Sequence, residues 1–278
     1  MLKEPVLTQI LLNGKPAESI ALQDRGLLYG DGFFTTIRLL DGEPQLWERH
    51  QQRLLLTAQR LRFELADSRL LMQQCLQECR QLGADSAECG VRITLTRGTG
   101  GRGYQAPATS QPQRILSRMA VPAHYAEWRR QGIALQLSQQ TLAIQPMLAG
   151  LKTLNRLEQV LLKQELAETD NADELIVCDS NGFVCESTAS NLFWRRHNTW
   201  YTSKLDKSGI KGVVRAELLA HNSVAQGDYP LHHLQQAEQA FICNSLMGLV
   251  PVHTIMGRRL PQTADYPDQL TTRLNEGR

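Results

Sequence analysis

The 278-residue sequence contains no run of about 18 apolar residues, so it offers no span to cross a membrane, and its start, Met1-Leu2-Lys3-Glu4-Pro5, lacks the apolar core of a secretory signal. Both absences point to the cytoplasm. An excess of one charge is missing as well: 30 Lys and Arg are interspersed with 28 Asp and Glu, a formal net of +2. No broad field exists to draw in nucleic acid or an anionic membrane, and any anion site must be local. Cysteine is sparse, with six residues (Cys75, Cys79, Cys89, Cys178, Cys185 and Cys243) spread out rather than dense as in a secreted disulfide scaffold. They are expected to be reduced and mostly buried. Cys75 and Cys79 stand four apart in a helical pattern, yet no second Cys/His pair follows at zinc-site spacing, so packing is the better reading and no metal is expected. Lysine is scarce too, seven of the 30 basic residues, which leaves few candidates for covalent amine chemistry.

What is present suits a soluble chain with a real core: 42% hydrophobic and 21% charged residues, with no internal repeat or low-complexity tract. The length leaves room for two α/β domains of roughly 100–150 residues each. Pro122 marks the break, giving a smaller domain over 1–120 and a larger one over 121–278. In the first, residues 7–12 read as a strand closed by Asn13-Gly14, and 29–40 as a glycine-rich turn and an extended run ending at Asp41-Gly42. The period then changes. Leu46, His50, Leu54, Ala58 and Leu61 share one helical stripe flanked by Arg49, Arg53 and Arg60, and 70–82 predicts a second helix. Strands at 91–96 and 113–121 bracket a flexible loop, Gly98-Thr99-Gly100-Gly101-Arg102-Gly103-Tyr104.

In the second domain, 133–137 reads as a strand, and Leu154, Leu157 and Leu161 place a helix just downstream of Lys152, so that the lysine sits near a helix start. Residues 174–178 and 183–186 form a hairpin about Asp179-Ser180-Asn181-Gly182, and 191–194 with 199–202 form another. A helix at 213–220 and a final strand at 239–243 complete the pattern.

Lys152 follows the apolar stretch Met147-Leu148-Ala149-Gly150-Leu151, which desolvates the amine and disfavours its charged form, as an imine-forming or proton-transferring lysine requires. On local sequence alone the commoner reading is an exposed lysine at a helix start. The loop bearing Arg97, Arg102 and Tyr104 is no dinucleotide fingerprint, because extended segments flank it and no strand-to-helix switch occurs. The near-neutral charge also weighs against an RNA-binding Gly/Arg segment. Taken singly, Arg53 reads as part of a solvated helix face and Glu186 as a surface hairpin residue.

Six separated motifs change that reading when taken together: Tyr29-Gly30-Asp31-Gly32-Phe33-Phe34; His50-Gln51-Gln52-Arg53-Leu54; the loop from Thr96 to Tyr104; Gly150-Leu151-Lys152-Thr153-Leu154-Asn155-Arg156-Leu157-Glu158-Gln159; Glu186 with Asn191-Leu192-Phe193; and Cys243-Asn244-Ser245. In this order they resemble the fold-type IV pyridoxal-phosphate enzymes over nearly the whole chain, and within that class the sequence looks most like the aminodeoxychorismate lyases. The resemblance implies an α/β (α+β) fold of two domains, pyridoxal 5′-phosphate at the seam, and a homodimer. It implies that Lys152 forms a Schiff base with the cofactor and serves as base, and that Glu186 bonds the pyridine nitrogen and keeps the ring electron-withdrawing. Arg53, the Val213 and Val214 amides of the turn Gly212-Val213-Val214-Arg215, and Ser245 are implied as phosphate ligands.

Thr35 or Thr36 is implied to assist proton transfer, and Tyr29, Arg97, Arg102, Tyr104 and Asn244 to contact substrate, with the arginines and Tyr104 gripping carboxylates in a loop that in dimers can reach toward a neighbouring site. The implied reaction converts 4-amino-4-deoxychorismate to 4-aminobenzoate and pyruvate without an amino acceptor. Branched-chain and D-amino acid transaminases share the scaffold. Branched-chain enzymes typically carry a tyrosine five residues after the lysine, where this chain has Leu157, and transaminases usually place a glutamate where it has Thr35-Thr36. A nonenzymatic module would have no need of the intact lysine, glutamate, arginine and phosphate-turn set.

Overall fold

The computed structural model describes residues 9–261, which divide into two compact units: residues 9–121 joined by Lys152–Asn155, and Pro122–Leu151 joined by 156–261. The first unit comprises β1 (Ile10–Leu12), β2 (Lys15–Pro16), α1 (Arg25–Tyr29), β3 (Gly32–Leu40), β4 (Glu43–Pro44), α2 (Trp47–Arg60), α3 (Ser68–Gly83), β5 (Glu88–Thr96) and β6 (Gln113–Met119). Its strands form an antiparallel sheet in the order β2-β1-β6-β5-β3-β4. The first predicted strand is seen as β1, and residues 7 and 8 lie outside the described residues. Asn13-Gly14 and Asp41-Gly42 both take positive φ at their two positions, the backbone that a tight hairpin requires.

Strand alternation sorts β3 into two faces. Phe33, Ile37 and Leu39 enter a core shared with Leu54 and Ala58 of α2, Met72, Cys75, Cys79 and Leu82 of α3, and Ile93 and Leu95 of β5. Thr35 points the same way, whereas Phe34, Thr36 and Arg38 face the other side. Of the predicted stripe of α2, His50, Leu54 and Ala58 are buried and Leu61 packs half-buried against the core; Thr57 joins them, while Leu46 precedes the helix as its N-cap. Helix α1 was not predicted, since one turn of five residues carries no periodic signal; Asp24 caps its start and Gly30, at φ 64, ends it.

The second unit comprises α4 (His124–Gln131), β7 (Ile133–Leu137), α5 (Leu157–Glu168), β8 (Glu174–Cys178), β9 (Val184–Ser187), β10 (Asn191–Arg196), β11 (Thr199–Ser203), α6 (Val213–His221), β12 (Val224–Gly227), α7 (Leu231–Gln235), β13 (Gln239–Asn244), β14 (Gly248–Ile255) and β15 (Arg258–Arg259). Its mixed sheet runs β12-β11-β10-β13-β14-β7-β8-β9, with β15 on β14, and is parallel where β11 meets β12, β14 meets β7 and β7 meets β8. The strand over 239–243 is therefore not the last. Pro251 and His253 interrupt the apolar pattern of β14 and hide a strand that nevertheless pairs on both sides.

The segment holding Lys152 differs from the sequence reading in two ways. Helix α5 begins at Leu157, and Lys152–Asn155 is non-helical, bridges β3 at Thr153, and belongs to the first unit rather than to the second. The cause is an open edge: β4 pairs only with Leu39 and Leu40, leaving the Gly32 end of β3 in need of partners. Phe34 N donates to Lys152 O at 2.9 Å, Leu154 N to Gly32 O at 3.0 Å, and Thr153 bridges Phe33. Leu157 and Leu161, expected to mark the helix, are exposed, and Leu162 supplies the buried contact. Among the described residues no helix is long and apolar enough to cross a membrane, and all six cysteines are buried free thiols.

Candidate active site

In the first unit the chemistry gathers on β3 and its two neighbours. On the face shared with Phe34 and Thr36, the Lys152 Nζ lies 4.6 Å from the Phe34 ring centroid, and the Arg92 guanidinium lies 3.7 Å from it. Arg92 pairs across the sheet with Thr36. The glycines of Tyr29-Gly30-Asp31-Gly32 allow this approach: a Cβ at Gly30 would fall 2.4 Å from Asn155 Oδ1, and Asn155 Nδ2 donates to Gly30 O at 3.2 Å.

Thr35 faces away from that side. It is fully buried, its Oγ1 lies 2.6 Å from His50 Nδ1, and Arg53 Nη1 donates to the same oxygen at 3.5 Å. Burial, seconded by the Arg53 charge, holds the His50 pKa well below the ordinary histidine value, so the ring is neutral near pH 7. A Thr35 oxygen that accepts from Arg53 passes its own proton toward Nδ1, which fits the Nε2–H tautomer. His50 Nε2 has no hydrogen-bond partner among the described residues. The helical stripe concealed His50 in the sequence, because a buried histidine on an apolar face reads as packing.

The glycine-rich loop is not a loose tether. Asp31 accepts from both Arg25 Nε, at 2.8 Å, and Arg97 Nε, at 2.8 and 3.0 Å. Arg97 also donates to Leu61 O and Arg62 O, each at 3.0 Å, and stacks over Phe63. Its buried guanidinium thus ties the loop base to the end of α2, and each of its nitrogens is already engaged. Arg102 and Tyr104 are exposed, and the Tyr104 ring stands edge-on to Tyr29 at 5.5 Å.

In the second unit Glu186 is no surface hairpin residue: it is 4% exposed on β9, and its Oε2 accepts from Ile210 N at 2.9 Å and Asn191 Nδ2 at 3.3 Å. Asn191 organises this corner, donating also to Ile210 O at 2.8 Å while its Oδ1 accepts from Gly212 N at 2.9 Å. A Cβ at Gly212 would lie 2.1 Å from that oxygen. Helix α6 starts there with no capping side chain, so the Val213 and Val214 amides belong to a first turn whose N–H groups have no partner within the helix. Arg215 locks α6 to the sheet through Ser203 O at 2.7 Å and Gln226 Oε1 at 3.0 Å. Burial pushes the pKa of Arg156 and of Arg215 down; Glu186 is the first opposing charge at Arg156, whereas at Arg215 Cys243 and Asp206 oppose burial ahead of Glu186. Ser245 lies half-buried in the turn after β13. Asn244 shapes that turn, its Oδ1 accepting from Leu246 N and Met247 N at 2.9 Å and its Nδ2 donating to Ala189 O at 3.2 Å.

Comparison with known proteins adds an independent line. Residues 32–255 match the family described as Amino-transferase class IV. The chain is 36% identical to an aminodeoxychorismate lyase of Vibrio harveyi over 95% of this chain and 97% of that one. It is 29% identical to a putative branched-chain-amino-acid aminotransferase of Methanocaldococcus jannaschii, over 90% and 88%. Among solved structures it resembles a 4-amino-4-deoxychorismate lyase from Pseudomonas aeruginosa, with a TM-score of 0.86, 37% identity, and 96% and 97% of the two chains covered.

Proposed function

The chain belongs to the class IV aminotransferase family, and from that premise we propose that it is a lyase converting 4-amino-4-deoxychorismate to 4-aminobenzoate and pyruvate, with pyridoxal 5′-phosphate as cofactor. The observation that carries the reading is full-length likeness above 35% identity to two lyases, against 29% to the aminotransferase. A cofactor with an aldehyde, a ring nitrogen and a phosphate calls for an amine, a carboxylate and clustered N–H donors. The donor set fits: Lys152 beside Phe34, Glu186 held buried by two N–H groups, and an uncapped helix start at Val213-Val214. We assign Lys152 as covalent anchor, Glu186 to the ring nitrogen, and Arg53, Val213, Val214 and Ser245 to the phosphate.

When bound, the cofactor would supply an aldehyde for the substrate amine and an electron sink for the pair released at the adjacent carbon. Lys152, displaced by that amine, is then the base that removes the proton from the amine-bearing ring carbon. Of the two threonines, Thr36 shares the Lys152 face and is assigned to hold the Nζ or protonate the departing enolpyruvyl oxygen, whereas Thr35 is turned to His50. Loss of enolpyruvate leaves an aromatic ring, which supplies the driving force, and ketonisation gives pyruvate. Arg102 and Tyr104 are assigned to the substrate carboxylates; Arg97 holds the end of α2 through Leu61 O and Arg62 O, and Asn244 holds the turn after β13.

The reading extends to a cytoplasmic homodimer. Six buried thiols suit a reducing compartment, and the exposed Leu27 and Leu28 of α1, with Tyr104 beside Tyr29, supply apolar surface for a subunit contact. The deciding experiment supplies aminodeoxychorismate to the purified protein without a keto acid. Formation of 4-aminobenzoate and pyruvate in equal amounts is expected, with borohydride fixing the cofactor on Lys152. Turnover that requires a keto-acid acceptor would identify a transaminase instead.

A further inference from the structure

We infer that Arg25 is a positioning residue for substrate recognition: the loop 98–105 is wound around its guanidinium, which fixes the conformation in which Arg102 and Tyr104 are presented. The side chain is 4% exposed. Its Nη1 donates to Gly100 O at 3.2 Å, Gly103 O at 3.0 Å and Gln105 O at 3.2 Å, and its Nη2 to Tyr104 O at 3.1 Å. Nε anchors the group on Asp31, and the backbone N of Arg25 holds Gly98 O at 2.8 Å, so both ends of the loop are tied to one residue.

The loop glycines are the complement of that cation. Gly98, Gly100, Gly101 and Gly103 take φ of 78, 106, 79 and 55°, in a backbone whose carbonyls converge inward as they would around a bound ion. A Cβ on Gly101 would come 2.2 Å from Gln105 O and 3.1 Å from Arg25 Nη1. At Gly101 the missing side chain therefore makes room for an internal ligand, the Arg25 guanidinium. A lysine could not replace it, because three donors on a point charge cannot reach four carbonyls and a carboxylate in a planar fork.

The inference rests on the assignment of Arg102 and Tyr104 to substrate, and two readouts keep the two ideas apart. In Arg25→Met, Asp31 retains Arg97 and the released carbonyls can turn to water, so the fold should persist while the loop loosens. Amide exchange across 98–105 should quicken at least about tenfold in the holoenzyme. KM for aminodeoxychorismate should rise about tenfold or more, with kcat within about threefold and cofactor content unchanged, and Arg25→Lys should fall between the two. Unchanged exchange, or a fall in kcat at constant KM, would overturn the inference. So would a normal KM in Arg25→Met while Arg102→Met raises KM; if neither variant raises KM, the substrate assignment of the loop fails and the inference falls with it. Should Arg25→Met prove insoluble, Gly101→Ala disturbs the same bonds from the loop side and must give the same signature.

Discussion

Replacing Asn191 by aspartate tests the second half of the site with a change of only one atom's chemistry. Asn191 Nδ2 donates to Glu186 Oε2 at 3.3 Å and to Ile210 O at 2.8 Å, and Oδ1 accepts from Gly212 N. Asn191→Ala deletes two bonds to backbone and one to a carboxylate, a loss of about 3–4 kcal/mol at roughly 1 kcal/mol for each neutral bond and 1.5 or more for the charged one. Asn191→Asp keeps the shape and the Gly212 bond yet places a carboxylate oxygen against Glu186. Two such charges about 4 Å apart at an effective dielectric near 20 repel by about 4 kcal/mol, so the isosteric change should be at least as harmful as the truncation at pH 8. One carboxyl of the pair then binds a proton more readily folded than unfolded, which means that the lost stability returns as pH falls. Urea unfolding of the cofactor-free protein, followed by tryptophan fluorescence at pH 8 and pH 5.5, measures this. Adding Glu186→Gln to Asn191→Asp should recover at least about 2 kcal/mol as a coupling energy. An Asn191→Asp variant as stable as wild type at pH 8, or an additive cycle, would refute the role given to Asn191.

Two further outcomes follow from β3. Thr36→Val should lower kcat by about ten- to a hundredfold with cofactor still bound, whereas Thr35→Val should act mainly on stability, by about 1–3 kcal/mol, because it strands a buried His50 nitrogen; steady-state kinetics beside thermal melts separates them, and the reverse pattern would overturn the face assignment. His50, with its pKa held low in the fold, binds protons more weakly folded than unfolded, so its contribution is present above about pH 6.5 and is lost as pH falls. His50→Gln should flatten the stability profile below that pH, and an unchanged profile would show that another group controls it.

Much of the framework was legible in residue order because it is local: hairpin turns at Asn13-Gly14 and Asp41-Gly42, the stripe of α2, and the alternation of β3 are each decided within a few positions. What sequence concealed depends on partners far along the chain. Arg25 meets carbonyls some 75–80 residues away, Asn191 reads as one more polar strand end until Gly212 is placed beside it, and Glu186 lies within a four-residue strand whose burial comes from the segment at 209–210. The backbone around Lys152 was not legible, since the Leu154, Leu157 and Leu161 spacing suits a helix and only the open edge of β3 explains the pairing of Lys152–Leu154 with it. Arg97 and Asn244 have the residue types of substrate ligands, and side-chain identity does not encode that in the fold Arg97 holds Asp31, Leu61 O and Arg62 O while Asn244 holds Ala189 O, Leu246 N and Met247 N.

The stitch of Lys152–Asn155 onto β3 also bears on how the protein is made. A ribosome that has released residues up to 121 has not yet delivered the segment that pairs with Gly32 and Phe34, and at roughly 5–20 residues per second the wait lasts a few seconds. During that interval the nascent sheet carries an unpaired edge able to recruit other chains. A gene fragment ending at residue 121 preserves the same vulnerability permanently, so the Lys152–Asn155 segment acts as the clasp that makes the first unit safe to release.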